Sequence, residues 1–264
     1  MLHCVKLVLC LTFLSCEAHV IRSKDSADAS NVFGLTGLAK NNATDATFMQ
    51  GDIAMPKQDG RTAFIRSSKW PDGTVPVEFD SSYSTAQKNI IIGAMSEITK
   101  NTNNCIRFVW RTTNHPVWLR IFPGQGCWSY MGKAMQKGPQ DLSLQIPGCV
   151  HHQVALHEFI HALGFVHEQT RPDRDQYVRI QTQNIVSGQD HNFDVFSRTD
   201  TNMLGLPYDF GSIMHYRSDA FSSNGRPTIV PTTSVGKSWE SRMGRGEKMS
   251  ALDIQKLKKY YSCS

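Results

Sequence analysis

The chain has 264 residues, 40% of them hydrophobic, with 28 Lys and Arg against 23 Asp and Glu for a net charge of +5. That length fits one core-bearing domain plus processed segments, and so mild a basic balance is far from a nucleic-acid footprint. Residues 1–61 carry as many acids as bases, so the positive balance lies in residues 62–264, where it reads as a solvated surface with some leaning toward anionic substrates.

Lys6 precedes the apolar run Leu7–Leu14, which is too short to span a bilayer, and small residues follow up to Ala18. Residues 1–18 are therefore expected to be a secretory signal, against a membrane anchor as the rival reading. No later segment approaches a transmembrane length, so the product is expected to be secreted and extracellular, with no membrane insertion. From His19 to Arg61 the chain is rich in Ser, Asp, Asn and Ala without sustained periodicity, and is expected to be poorly structured. It contains Asn42-Ala43-Thr44, a glycosylation sequon at Asn42. Three of the seven cysteines fall in the signal, leaving Cys105, Cys127, Cys149 and Cys263. An even set of four in a secreted chain suggests two disulfides, with three pairings open.

Alternation of apolar residues predicts strands around Val75–Phe79, Ile106–Trp110, Val117–Ile121 and Leu142–Ile146. A helix is predicted near 84–100, capped by Ser84 or Thr85, with Ile90, Ile91, Ala94, Met95 and Ile98 on its buried side. A second helix is predicted over about 150–163. Residues 170–249 are punctuated by Gly, Pro, Asn, Asp and Ser and read as mostly loops. A last helix is predicted from Ser250, where Asp253 stands at capping-box distance and Leu252, Leu257 and Tyr260 or Tyr261 could anchor it. The expected class is α+β: a twisted N-terminal sheet with two helices, and a mostly irregular C-terminal lobe ending in a helix.

The second helix carries the chemistry. His157-Glu158-Phe159-Ile160-His161-Ala162-Leu163-Gly164-Phe165-Val166-His167 has the pattern H-E-x-x-H-x-x-G-x-x-H. On a helix His157 and His161 stand one turn apart and can face one ion, with Glu158 beside them free to handle a proton. Gly164 can take the positive φ that ends the helix, and His167 then returns as a third ligand. H-E-x-x-H alone should arise about 0.01 times by chance in this composition, so an amphipathic helix that happens to carry histidines is the poorer reading. His115, His151, His152, His191 and His215 read as surface, core or turn residues, since a catalytic zinc keeps an open position.

Three motifs together resemble the astacin family of zinc endopeptidases. The zinc motif continues as Gly164-Phe165-Val166-His167-Glu168-Gln169-Thr170-Arg171-Pro172-Asp173-Arg174-Asp175. Ser212-Ile213-Met214-His215-Tyr216 resembles the Met-turn of that family, and Gly126–Gly132 resembles the strand bordering its cleft. The resemblance runs from about Trp70 to Cys263. It implies a two-lobed metzincin-type catalytic domain over 62–264, behind a signal at 1–18 and a propeptide at 19–61. It implies that His157, His161 and His167 bind one Zn²⁺, that Glu158 is general base toward the attacking water, and that Tyr216 ligates at rest or donates to the oxyanion. Met214 would floor the histidines, and Glu168 would help anchor the mature N-terminus. The implied disulfides are Cys105–Cys263 and Cys127–Cys149. Gly51-Asp52-Ile53 resembles the inhibitory element of astacin proforms, with Asp52 on the zinc; Phe48 is one residue out of the usual register. Activation is expected between Arg61 and Thr62, by a separate protease. The product would be a secreted monomeric enzyme acting on protein or peptide substrates. A binding or structural protein on the same fold, or another zinc hydrolase such as an exopeptidase, are the rival readings. Arg245 and Lys248 could favour an acidic side chain after the scissile bond, against the blander reading of a solvated basic loop.

Overall fold

The computed structural model describes residues 47–55, 69–199 and 201–264. The expectations placed on residues 1–18, on Asn42 and on the Arg61–Thr62 bond lie outside the described residues.

Two short strands come first, β1 (Thr47–Met49) and β2 (Ile53–Met55), joined by a tight turn in which Gln50 and Gly51 have positive φ. Then follow β3 (Thr74–Phe79), helix α1 (Thr85–Asn101), β4 (Arg107–Trp110), β5 (Val117–Phe122), β6 (Cys127–Tyr130) and β7 (Gly138–Leu144). The seven strands form one mixed sheet in the order β1-β2-β6-β7-β5-β3-β4. Strands β4, β3, β5 and β7 run parallel to one another, while β6 is antiparallel to β7. All four predicted strands exist. The last begins earlier than its alternation suggested, because β7 pairs with β5 from Gly138 onward.

Two expectations need correction. Residues 47–55 of the stretch expected to be poorly structured form β1 and β2 and belong to the sheet. The backbone groups of β2 pair with β6 and those of β1 with β2, and the open edge of β6 offers hydrogen bonds that a polar composition alone does not reveal. Ile90, expected on the buried side of α1, is 39% exposed, whereas Ile91, Ala94, Met95 and Ile98 are buried. Three consecutive isoleucines at 90–92 cannot all share one helical face. The α1 cap is present: Ser84 and Gln87 satisfy each other's backbone N–H groups in a capping box.

Helix α2 (His152–Ala162) is buried from Val154 to its end, packed against α1 and β6 and within the main core. Its C-terminal carbonyls would be orphaned in so apolar a place. Trp70 Nε1 donates to Ala162 O at 2.8 Å and Tyr261 OH to Leu163 O at 3.1 Å. Gly164, at φ 106°, breaks the helix and turns the chain toward His167.

Beyond His167 the structure is irregular, as expected: 3₁₀ turns, one antiparallel pair β8 (Val178–Ile180) and β9 (Ile229–Pro231), and a single-turn helix α3 (Ser234–Lys237). The lobe has its own apolar cluster around Phe193, Tyr208, Phe210 and Tyr216. The chain closes with α4 (Ala251–Tyr261), where Ser250 and Asp253 form the predicted capping box. Disulfides join Cys127 to Cys149 and Cys105 to Cys263. The second of these closes a separation of 158 residues, which in the chain-entropy picture stabilises by on the order of 5 kcal/mol and ties α4 to the end of α1.

Candidate metal centre

Helix periodicity places His157 and His161 on one face of α2, and the Gly164 turn brings His167 to them. The three Nε2 atoms converge: His157 lies 3.0 Å from His161 and 3.2 Å from His167. All three side chains are buried, as is Asp52 from the β1–β2 turn. Asp52 Oδ2 lies 3.3 Å from both His157 Nε2 and His167 Nε2, and Oδ1 lies 3.6 Å from His161 Nε2.

Hydrogen bonding on the far side of each ring fixes the tautomers. His157 Nδ1 meets Ile213 O at 2.8 Å, His161 Nδ1 meets Phe165 O at 2.7 Å, and His167 Nδ1 meets Gln50 Oε1 at 2.8 Å. Oxygens of this kind only accept, so every Nδ1 carries the proton and every Nε2 turns a lone pair inward. Burial, as the largest effect, pushes the His157 imidazole below its ordinary pKa and His167 down to about 4, which keeps both neutral. Three inward lone pairs and a carboxylate within 4.8 Å of one another repel unless a cation lies among them. The N₃O donor set is that of zinc.

Glu158, next to His157, is fully buried, and neither carboxylate oxygen has a hydrogen-bond partner among the described residues. Burial first, and then the charge of Asp52, raise its carboxyl well above the usual range. Tyr216 is also buried, with its ring centroid 4.5 Å from that of His167. Its hydroxyl donates to the Gln50 carbonyl oxygen.

A profile of the peptidase family described as Astacin matches residues 64–262. The chain belongs to the astacin family. It is 36% identical over 235 residues to zinc metalloproteinase nas-4 of Caenorhabditis elegans, covering 85% of this chain and 72% of that one. To low choriolytic enzyme of Oryzias latipes it is 37% identical, covering 94% of this chain and 90% of the relative. Among solved structures, high choriolytic enzyme 1, a hatching enzyme zinc-protease of the same fish, superposes with a TM-score of 0.66 at 37% identity, over 78% of this chain and 99% of that one. This astacin is accordingly a zinc metalloendopeptidase with protein substrates, and His157, His161, His167 and Asp52 form a group able to hold one metal ion.

Two other residues of the astacin motifs, Met214 and Glu168, are also buried. Met214 is buried in the main core. The Glu168 carboxylate accepts from Arg171 Nη1 at 3.0 Å, the Asp209 N–H at 2.8 Å and Lys256 Nζ at 2.6 Å. Among the other histidines, His152 pairs with Glu97 and His115 Nδ1 accepts from the Thr112 N–H. Arg217 and Gly244 belong to a close approach the sequence did not announce. Gly244 has φ 64°, and a Cβ there would lie 2.3 Å from Arg217 N and 2.5 Å from the Tyr216 carbonyl carbon, so only glycine lets that loop seat behind Tyr216. Gln50 was likewise missed. It lies in no catalytic motif, yet it touches both His167 and Tyr216.

His215 is a buried core histidine. It meets Tyr216 O through Nδ1 and Tyr208 OH through Nε2, and burial lowers its pKa to about 4. The unfolded chain takes up the proton first, so stability present above pH 6.5 is lost as pH falls toward about 4. With each pKa unit worth about 1.36 kcal/mol, this one group accounts for roughly 3 kcal/mol. Denaturant midpoints measured across that range are expected to fall more steeply for the wild type than for His215→Gln. Equal slopes would remove His215 from the acid response.

Proposed function

We propose that this astacin is made as a secreted, latent zymogen and cuts protein chains internally once its leader is removed. The convergence of three histidine lone pairs on Asp52, beside a buried Glu158 that has no hydrogen-bond partner among the described residues, carries that reading. Residues 1–18 would be the signal, 19–61 the propeptide and 62–264 the monomeric protease, with activation by another protease after Arg61 and any N-glycan at Asn42 leaving with the propeptide.

His157, His161 and His167 would hold the zinc, which when bound supplies a positive charge that polarises a peptide carbonyl and eases proton loss from water. Glu158 takes the proton of the attacking water and passes it to the leaving amine. Tyr216, released from Gln50, donates its hydroxyl to the oxyanion. The low dielectric around these groups strengthens each contact.

Internal cutting is supported by the segment that crosses the site. Phe48 packs against Trp128 with ring centroids 5.4 Å apart, and Ile53 and Ala54 pair with Ser129 and Tyr130 on the far side of Asp52. A groove that takes extended chain on both sides of the metal group admits the middle of a substrate, not only its end. The same segment supports latency: Asp52 faces the histidines while Gln50 engages His167 and Tyr216. Glu168 already accepts three donors, and an arriving mature N-terminus would have to share its carboxylate with Lys256 and Arg171.

Chelation tests the metal requirement. The trypsin-matured chain is expected to lose casein hydrolysis on treatment with 1,10-phenanthroline and to regain it with about one equivalent of Zn²⁺. Hydrolysis that survives complete metal removal would refute the reading.

A further inference from the structure

The hydrogen bond from His157 does not end at the Ile213 carbonyl. That carbonyl shares its peptide with the Met214 N–H, which donates to Ser212 Oγ at 3.0 Å. Ser212 Oγ in turn donates to Asp253 Oδ1 at 2.5 Å. Four groups thus form one directed chain: imidazole N–H, peptide, hydroxyl, carboxylate. Every member is buried, with Asp253 at 3% exposure and Ser212 at 1%.

We propose that Asp253 is the outer carboxylate of the metal centre, a positioning residue that acts on His157 through Ser212 and the Ile213–Met214 peptide. Metal-binding histidines are commonly backed by a carboxylate or carbonyl that fixes the ring and raises its basicity. Here a carbonyl touches the ring and the carboxylate stands two links behind it. Hydrogen bonds in such a chain polarise one another, so the Asp253 charge strengthens the acceptor seen by His157.

The second oxygen of Asp253 has a mechanical task. Oδ2 accepts from Ile213 N and from Ser250 N, both at 2.9 Å. It therefore fixes the start of the Met-turn to the first turn of α4. One turn along that helix, Lys256 holds Glu168, whose N–H donates to Met214 O at 2.9 Å. Helix α4 thus grips the Met-turn from both sides. The capping box that the sequence announces explains only the bonds between Ser250 and Asp253. It leaves the two bonds from Ser212 and Ile213 to this carboxylate unexplained.

The inference rests on the reading that His157, His161 and His167 hold zinc, and its test separates the two. Zinc release to a chromogenic chelator would be followed for the full chain and for Asp253→Asn, Ser212→Ala and Ser250→Ala. Asp253→Asn and Ser212→Ala are expected to speed release by about tenfold or more, to shift the visible bands of the cobalt-substituted protein, and after maturation to lower kcat with KM nearly unchanged. Ser250→Ala, which removes a helix cap without entering the relay, should lower Tm and leave release and cobalt bands at wild-type values. Equal release from all four chains overturns the inference and spares the zinc site; a wild type that takes up no zinc overturns both.

Should Asp253→Asn fail to fold, Ser212→Ala and the wild type still decide. Coupling is reciprocal, so stripping zinc from the wild type is expected to quicken hydrogen exchange at the Ile213 and Ser250 amides. The Gln87 amide, in the capping box of α1, should be indifferent. Unchanged exchange at Ile213 would contradict the relay.

Discussion

Glu158→Ala is expected to bind one zinc ion and to lose about 100- to 10,000-fold in kcat, the range ordinarily supplied by a positioned general base. The separation of binding from turnover follows from the carboxylate's surroundings. Both oxygens are buried and neither has a hydrogen-bond partner among the described residues, so the group ties no described element in place. The three histidines keep their own outer contacts to Ile213, Phe165 and Gln50 without it. Removing the side chain deletes a proton acceptor beside His157 and leaves the ligands standing. Metal stoichiometry and single-turnover rates on the same preparation would check this. A variant that keeps its turnover would take the proton-transfer role away from Glu158.

Asp52→Ala in the uncleaved chain has the second largest expected effect. The carboxylate is buried against three histidines whose inward lone pairs would share a cation with it. Breaking a buried charge pairing of this kind costs about 3–5 kcal/mol, and 1.4 kcal/mol is roughly a factor of ten in an equilibrium. The uncleaved variant is therefore expected to show about a hundredfold or more of the activity of the uncleaved wild type. Latency should not vanish, since β2 still pairs with β6 and Gln50 still engages His167 and Tyr216. Initial rates on a quenched peptide, with the intact chain verified by mass, would measure the gain. A variant as silent as the wild type would mean that the strand pairing blocks the cleft by itself.

How far the sequence could be read depended on how local each signal was. The ligand spacing of His157, His161 and His167 sits within one helix and its terminating turn, and the caps at Ser84 and Ser250 are just as local. The structure has these features where periodicity and capping rules put them. The disulfide pairing came from family likeness, since four cysteines leave three pairings open. What stayed hidden was contact over long sequence distance. Gln50 reaches His167 across 117 positions and Asp253 reaches Ser212 across 41, and neither contact leaves a local pattern. The joining of Ile53–Met55 to β6 was equally illegible, because backbone pairing to an open strand edge asks little of side-chain composition. Asp253 shows why a satisfied motif can mislead: its capping role is complete and visible, and its two further donors, Ser212 and Ile213, leave no sign in the local pattern.

The most direct test is cleavage-site mapping by mass spectrometry on a denatured proteome, with trypsin-matured wild type beside Glu158→Ala of confirmed zinc content. Internal cuts made by the wild type, absent with the variant and abolished by a chelator, are the predicted result. The same set of peptides from both proteins, with zinc bound in each, would contradict it.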